Sequence, residues 1–207
     1  MRFYGAAENQ IRRINMLYLK RMRRDQAGFT LVEIAIVMVI IGLLIGGVLK
    51  GQAMIQNAKV KRVVKQADEF RAVVMGFYDK YGVFPGDEDK ANIPPGDTVS
   101  GDGDGMMENG ERFDMFNDLV EAGLISGDFN GANVATHVFG DDVYIYWVNP
   151  PGTPGPGHFI RFNNLPWDVC LEIDTKYDDG VFNTGTIVAN EDYLEASTPV
   201  ANFYMPF

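Results

Sequence analysis

Apolar and polar positions are arranged along this chain in three ways, and each predicts a different element. From Phe29 to Leu49 the run FTLVEIAIVMVIIGLLIGGVL holds one charged residue, Glu33, among 21 positions. At about 1.5 Å rise per residue, a helix of that length spans the roughly 30 Å of a bilayer hydrocarbon core. Beyond Leu49 the pattern becomes periodic. Val60, Val63, Val64, Ala67, Phe70, Val74, Phe77, Tyr78 and Tyr81 recur mainly at three- and four-residue steps, while Lys59, Lys61, Arg62, Lys65, Asp68, Glu69 and Arg71 fill the other faces. That predicts an amphipathic helix. No proline falls between Phe29 and Phe84, so one helix of roughly 50 residues is expected. Gly42, Gly46, Gly47 and Gly51 are its weak points; small residues there either admit close helix approach or mark a stretch able to loosen. Gly82 and Pro85-Gly86 stop it.

The third regime is a mixed α+β pattern. Residues 86–112 are rich in Gly, Pro and Asp and predict a long loop. A short helix is expected at about 112–123, with Phe113, Phe116, Leu119, Val120 and Leu124 on its inner face. Residues 134–148 and 158–163 are dense in β-branched and aromatic side chains and predict strands, joined by a turn at PPGTPGPG. Segment 164–180 alternates like a strand at Val169, Leu171 and Ile173, yet Asn164 and Pro166 suggest a capped helix start; a helix is the expectation. A short strand follows at 184–189, and the aromatic tail NFYMPF predicts core or subunit-contact residues.

Charge sharpens this picture. The net charge is −10, although Arg2, Arg12, Arg13, Lys20, Arg21, Arg23 and Arg24 precede the apolar run. A basic cluster on that side predicts a cytoplasmic N-terminus and a translocated head. Without residues 1–28 the remainder is more acidic still, which argues against a nucleic-acid groove and leaves cation binding open. Cys170 is the one cysteine, so no intramolecular disulfide can staple the head. His137 and His158 stand apart from any catalytic partner in sequence, and Cys170 reads as a buried structural thiol. No enzyme is expected.

Glu33 is the energetic anomaly. A carboxylate at membrane depth costs roughly 2.5–3.5 kcal/mol on insertion scales and by default marks a function, although one so near the end of the span could snorkel to the interface. The string Gly28-Phe29-Thr30-Leu31-Val32-Glu33, opening an apolar run, resembles the N-terminal processing and methylation motif of the type IV pilin and pseudopilin family. The resemblance is close from Gly28 to about Tyr81 and looser beyond. It implies cleavage between Gly28 and Phe29 by a prepilin peptidase, methylation of Phe29, and insertion of the mature chain into a filament through an inner-membrane assembly platform. It also implies the family's α+β fold, a long N-terminal helix packed against a small head with short helices and an antiparallel sheet. The expected organisation is a leader at 1–28, a transmembrane or filament-core helix at 29–49, an amphipathic continuation at 50–82, and a head at 83–207 with an acidic loop at 97–111. A leader of 28 residues is long for the short-leader class, so Met16 and Met22 are alternative starts. The turn YDKYGVFPGD is similar to an element that follows the long helix in many pseudopilins; its role there is architectural, and no site is assigned to it.

Cleavage would free an α-amine at Phe29. In a bundle of such helices, Glu33 could be neutralised by the amine of an adjacent chain, and a slipped subunit would leave a buried charge unpaired, enforcing register.

The sharpest pattern in the head is SGDGDGMMENGE at 100–111. Ser100, Asp102, Asp104, Glu108 and Glu111 stand at positions 1, 3, 5, 9 and 12 of a calcium-loop spacing, with Gly105 at position 6 and the Met106 carbonyl at position 7. Serine replaces the usual first aspartate, and Asp97 could supply the missing ligand. The competing reading is a solvated loop whose Asp-Gly pairs form turns. Asp174, Asp178 and Asp179, with Asn183, make a second acidic cluster that a turn explains equally well. Calcium, Ca2+, is thus the expected ion. Many major pseudopilins of type II secretion systems order a disulfide-free head with calcium, which tips the resemblance toward a secretion pseudopilin. A type IV pilus subunit and a membrane-anchored calcium-binding monomer are the alternatives.

Overall fold

The computed structural model describes residues 28–97, 101–108 and 110–207. Two compact units divide the chain, Met1–Ala53 and Met54–Phe207.

Helix α1, Leu31–Tyr81, is the expected long helix. In the first unit Leu31, Leu43, Leu44 and their apolar neighbours are all exposed. The helix is long and apolar enough to cross a membrane. In the second unit α1 is one-sided. Val60, Val63, Ala67, Phe70, Val74 and Phe77 are buried at alternating steps of three and four, the spacing that keeps one stripe facing a partner. Tyr78, expected on that stripe, is exposed, with its ring against Phe84 as the chain leaves the helix.

The stripe shares its core with a five-stranded antiparallel sheet. The strands are β1 (Ala135–Thr136), β2 (Asp142–Val148), β3 (Gly157–Leu165), β4 (Val188–Ala189) and β5 (Val200–Pro206), in the order β1-β2-β3-β5-β4. Opposite residues set the inner face: Val143 faces Phe162 and Ile145 faces Ile160 across β2–β3, while Ile160 faces Met205 and Phe162 faces Phe203 across β3–β5. All belong to the main core. The alternating positions Tyr144, Tyr146 and Arg161 lie on the other face, where Arg161 donates to the Tyr146 hydroxyl at 2.8 Å and lies over both rings. Arg112 lies over the same two rings and Phe113, tying the end of the acidic loop to the sheet.

Helix α2, Asp114–Glu121, and helix α3, Trp167–Tyr177, complete the head. The buried face of α2 is Met115, Phe116, Asp118 and Leu119, rotated from the expected one. Phe113 and Val120 are half-buried, and a carboxylate occupies the inner face. Asn164 is not the cap of α3, whose N-cap is Pro166; Asn164 instead donates to Asp141 from a left-handed backbone conformation. The expected strand at 134–148 is interrupted by a turn in which the His137 carbonyl accepts from Gly140. The aromatic tail is β5, a central strand.

Candidate functional site

Gly28, Phe29 and Thr30 precede the helix without regular structure, and all three are exposed. The Gly28–Phe29 bond therefore lies on an open, non-helical segment, the kind of backbone a protease can engage. Thr30 and Glu33 form a reciprocal N-terminal cap. The Thr30 N–H and hydroxyl both donate to Glu33 Oε2 at 2.8 Å, and the Glu33 N–H donates back to Thr30 Oγ1 at 3.2 Å. This is the T-x-x-E capping box, a signal legible in the sequence and missed by reading Glu33 only as a charge. At Gly42, Gly46, Gly47 and Gly51 the space a Cβ would occupy is open.

Among the described residues, three groups of carboxylates in the head bring ligand atoms within 4.8 Å of one another: Asp87, Asp102 and Glu111; Glu88, Asp97 and Asp118; Asp174, Asp178 and Asp179. The turn after α1, to which the sequence assigns no site, supplies both Asp87 and Glu88. Adjacent residues thus serve different clusters.

The first cluster differs from the calcium-loop spacing. Asp102 and Glu111 converge, but with Asp87 in place of Asp104 and Glu108; Ser100 lies outside the described residues. The physical reason is that the loop winds around the Asp87 carboxylate. Asp87 Oδ1 accepts the Asp104 N–H at 3.1 Å and Oδ2 the Gly105 N–H at 2.9 Å. Asp104 turns away to accept the Met106 N–H at 2.8 Å. Glu108 is exposed, and its N–H donates to Glu111 Oε2 at 2.7 Å. Gly101 makes this closure possible: a Cβ there would lie 2.5 Å from the Gly86 carbonyl oxygen and 2.6 Å from Asp87 Cα. Burial is the main cause raising the Asp87 and Glu111 carboxyls above the usual range, and the Asp87 and Asp102 charges push Glu111 further. The loop is anchored by Met107, a fully buried side chain whose N–H donates to His158 Nε2 at 3.1 Å and whose carbonyl accepts from Trp147.

The second cluster is wholly interior, with Glu88, Asp97 and Asp118 at 0%, 5% and 0% exposure. Asp97 belongs here and does not complete the first cluster. Asp118 Oδ2 accepts the Gly86 N–H at 2.6 Å, which ties α2 to the turn after α1. Among the described residues no N–H or hydroxyl group donates to either Glu88 oxygen or to Asp118 Oδ1 in hydrogen-bond geometry; the Glu88 carboxyl meets the carboxyls of Asp97 and Asp118 instead. Burial first, and then the mutual charges, raise the Glu88 and Asp118 carboxyls.

The third cluster is already occupied with backbone. Asp174 accepts the Tyr193 hydroxyl at 2.7 Å and the Gly180 N–H at 3.1 Å. Asp178 Oδ2 accepts the N–H groups of Thr186 and Ile187 at 2.6 and 2.8 Å, and Asp179 accepts from Val181 and Thr184. These bonds fold residues 178–187 into a loop. The Asn183 backbone carbonyl lies against Gly152.

The histidines and the cysteine are packing residues. His137 accepts the Phe139 N–H at Nδ1, so its Nε2 proton faces the Asn163 carbonyl at 2.7 Å. Cys170 is buried in the core, where burial raises its thiol far above the ordinary range, an inert state.

Residues 23–49 match the family model of the prokaryotic N-terminal methylation motif. The chain is also 25% identical over 133 residues to the type IV major pilin protein PilE of Neisseria gonorrhoeae, covering 64% of this chain and 73% of that one. No solved structure matches.

Proposed function

We propose, from the premise that the chain is of the type IV pilin and pseudopilin family, that it is the precursor of a secretion pseudopilin of the type II kind with a calcium-ordered head. A pilin-type structural subunit needs no catalytic centre. In this reading prepilin peptidase cleaves after Gly28, Phe29 is methylated, and the mature helix leaves the bacterial inner membrane for a filament of identical or related subunits. The N-terminus begins on the cytoplasmic side and the head on the periplasmic side, as the basic leader favours.

The observation that carries the proposal is the bare apolar helix directly behind the processing motif. Every residue from Leu31 to Leu49 is exposed, so this surface needs either lipid or other helices. Open glycine faces at Gly42, Gly46 and Gly47 suit close helix approach. Glu33 supplies register. In the single subunit its Oε2 caps its own helix through Thr30; in the filament the carboxylate also meets the Phe29 amine of a neighbour, a partner that exists only after cleavage.

Calcium in the head is supported by the Asp87, Asp102 and Glu111 convergence and the lack of a second cysteine. A second reading, a type IV pilus subunit, is favoured by the similarity to a major pilin. Co-expression with prepilin peptidase tests the shared core of both: mass spectrometry should find loss of residues 1–28 and one added methyl on Phe29, and Glu33→Ala should be processed yet fail to enter filaments. An uncut monomer, or normal filaments from Glu33→Ala, would overturn it. Co-purification with a secretion system or with retractile pili separates the two readings.

A further inference from the structure

We propose that Glu88, Asp97 and Asp118 hold a calcium-class divalent cation in the interior of the head, at a site distinct from the acidic loop. The acidic residues alone would not say so. What points to a ligand is Glu88, a fully buried side chain set against two further buried carboxylates, with no N–H or hydroxyl group among the described residues donating to either oxygen. Asp118 adds an oxygen, Oδ1, in the same condition. A buried carboxylate without a donor loses its hydration and gains nothing in return. Two such groups beside a third carboxylate require neutralisation, by protons or by a cation.

The Asp97 charge pushes on Glu88, and the Glu88 and Asp97 charges push on Asp118, all of one sign. All the donors are oxygens, the set that hard cations select over zinc or copper. The ligand atoms are also close enough to share one ion: they lie within 4.8 Å of one another, inside the span of about 5.2 Å across a calcium sphere. A cation here would be structural. It would join the turn after α1, through Glu88, to the loop at Asp97 and to α2 at Asp118, reinforcing the Gly86 to Asp118 bond.

The site does not depend on the calcium-loop reading, and the test separates them. The full chain, purified in detergent and stripped with chelator, is equilibrated with calcium chloride, and metal is counted in wild type, in D102N/E111Q and in E88Q/D118N. We expect D102N/E111Q to retain one calcium per chain and to keep a calcium-dependent rise in melting temperature. E88Q/D118N should lose that ion, whether or not the acidic loop binds another. A D102N/E111Q chain with no calcium overturns the proposal, and so does E88Q/D118N with undiminished calcium. The proton alternative has its own signature: both E88Q and D118N would melt higher than wild type, equally in chelator and in calcium, because only repulsion would have been removed. Should E88Q/D118N fail to fold, the count on D102N/E111Q decides alone.

Discussion

Met107→Ala is the perturbation that most directly probes how the acidic loop is held. Met107 is fully buried and sits between loop and sheet, its N–H on His158 Nε2 and its carbonyl on the Trp147 N–H. Truncation removes three heavy atoms beyond Cβ, about 0.8 kcal/mol each by transfer. The cavity left behind adds to this, which brings the expected cost to about 3 kcal/mol, within the range of roughly 2–5 for such changes. For a chain of this size that is a fall in melting temperature of roughly 6–12 °C, read by near-ultraviolet circular dichroism of the full chain in mild detergent. The loop should respond more sharply than the rest of the head. Amide exchange across residues 101–108 should accelerate by up to about a hundredfold, since 1.4 kcal/mol is a factor of ten. Met107→Leu, which nearly conserves volume, should cost less than about 1.5 kcal/mol. A cost under about 1 kcal/mol for Met107→Ala, with unchanged exchange in the loop, would refute the anchoring role.

Two further outcomes follow from the geometry. Burial lowers the His137 pKa below its ordinary 6.5, so the folded chain favours the neutral ring and the unfolded chain binds the extra proton. The His137 contribution is therefore intact above about pH 6.5 and lost as pH falls toward the depressed folded value, with a slope approaching about 1.4 kcal/mol per pH unit. His137→Asn, which can still accept from Phe139, should flatten the acid limb of a stability–pH curve; an identical slope between pH 7 and 5 would exclude this. Asp178→Ala should cost about 2 kcal/mol, because one half-exposed carboxylate oxygen serves two backbone donors. The same drop in melting temperature is expected in calcium and in chelator; a drop only in calcium would make Asp178 an ion ligand instead of a turn former.

An unbroken apolar run and then a three- and four-residue repeat made α1 legible almost to the residue, because the first must be helical to span lipid and the second must turn one stripe, Val60 to Phe77, toward a single partner. The sheet was less legible. Strand β5 hides in a short aromatic tail with no turn signal of its own, and its central place is set by pairing with β3, far away in sequence. The acidic loop misled for a related reason. A linear ligand spacing presumes that the loop closes on itself, whereas this one closes on Asp87, 15 residues before Asp102. Glu88 carries no sequence signal at all: an exposed turn and a buried one read alike in Pro-Gly-Asp-Glu, and only tertiary packing distinguishes them. Asp118 had a faint signal, a carboxylate one position from the apolar stripe of α2.

Under the proposed function, the bare first half of α1 has a consequence for the direction of assembly. Lipid tails and a bundle of Leu, Ile and Val side chains are nearly equivalent solvents. Moving the segment Leu31–Leu49 from one to the other thus changes its hydrophobic free energy very little, however apolar it is. The same greasy surface that makes the subunit insoluble in water gives no preference between bilayer and filament. That preference falls to the few positions at which the two surroundings differ: a carboxylate that lipid cannot neutralise, and glycines whose open faces lipid fills poorly. A sequence with a uniformly hydrophobic segment would stay wherever it was first inserted. This one carries its exit instructions in its exceptions.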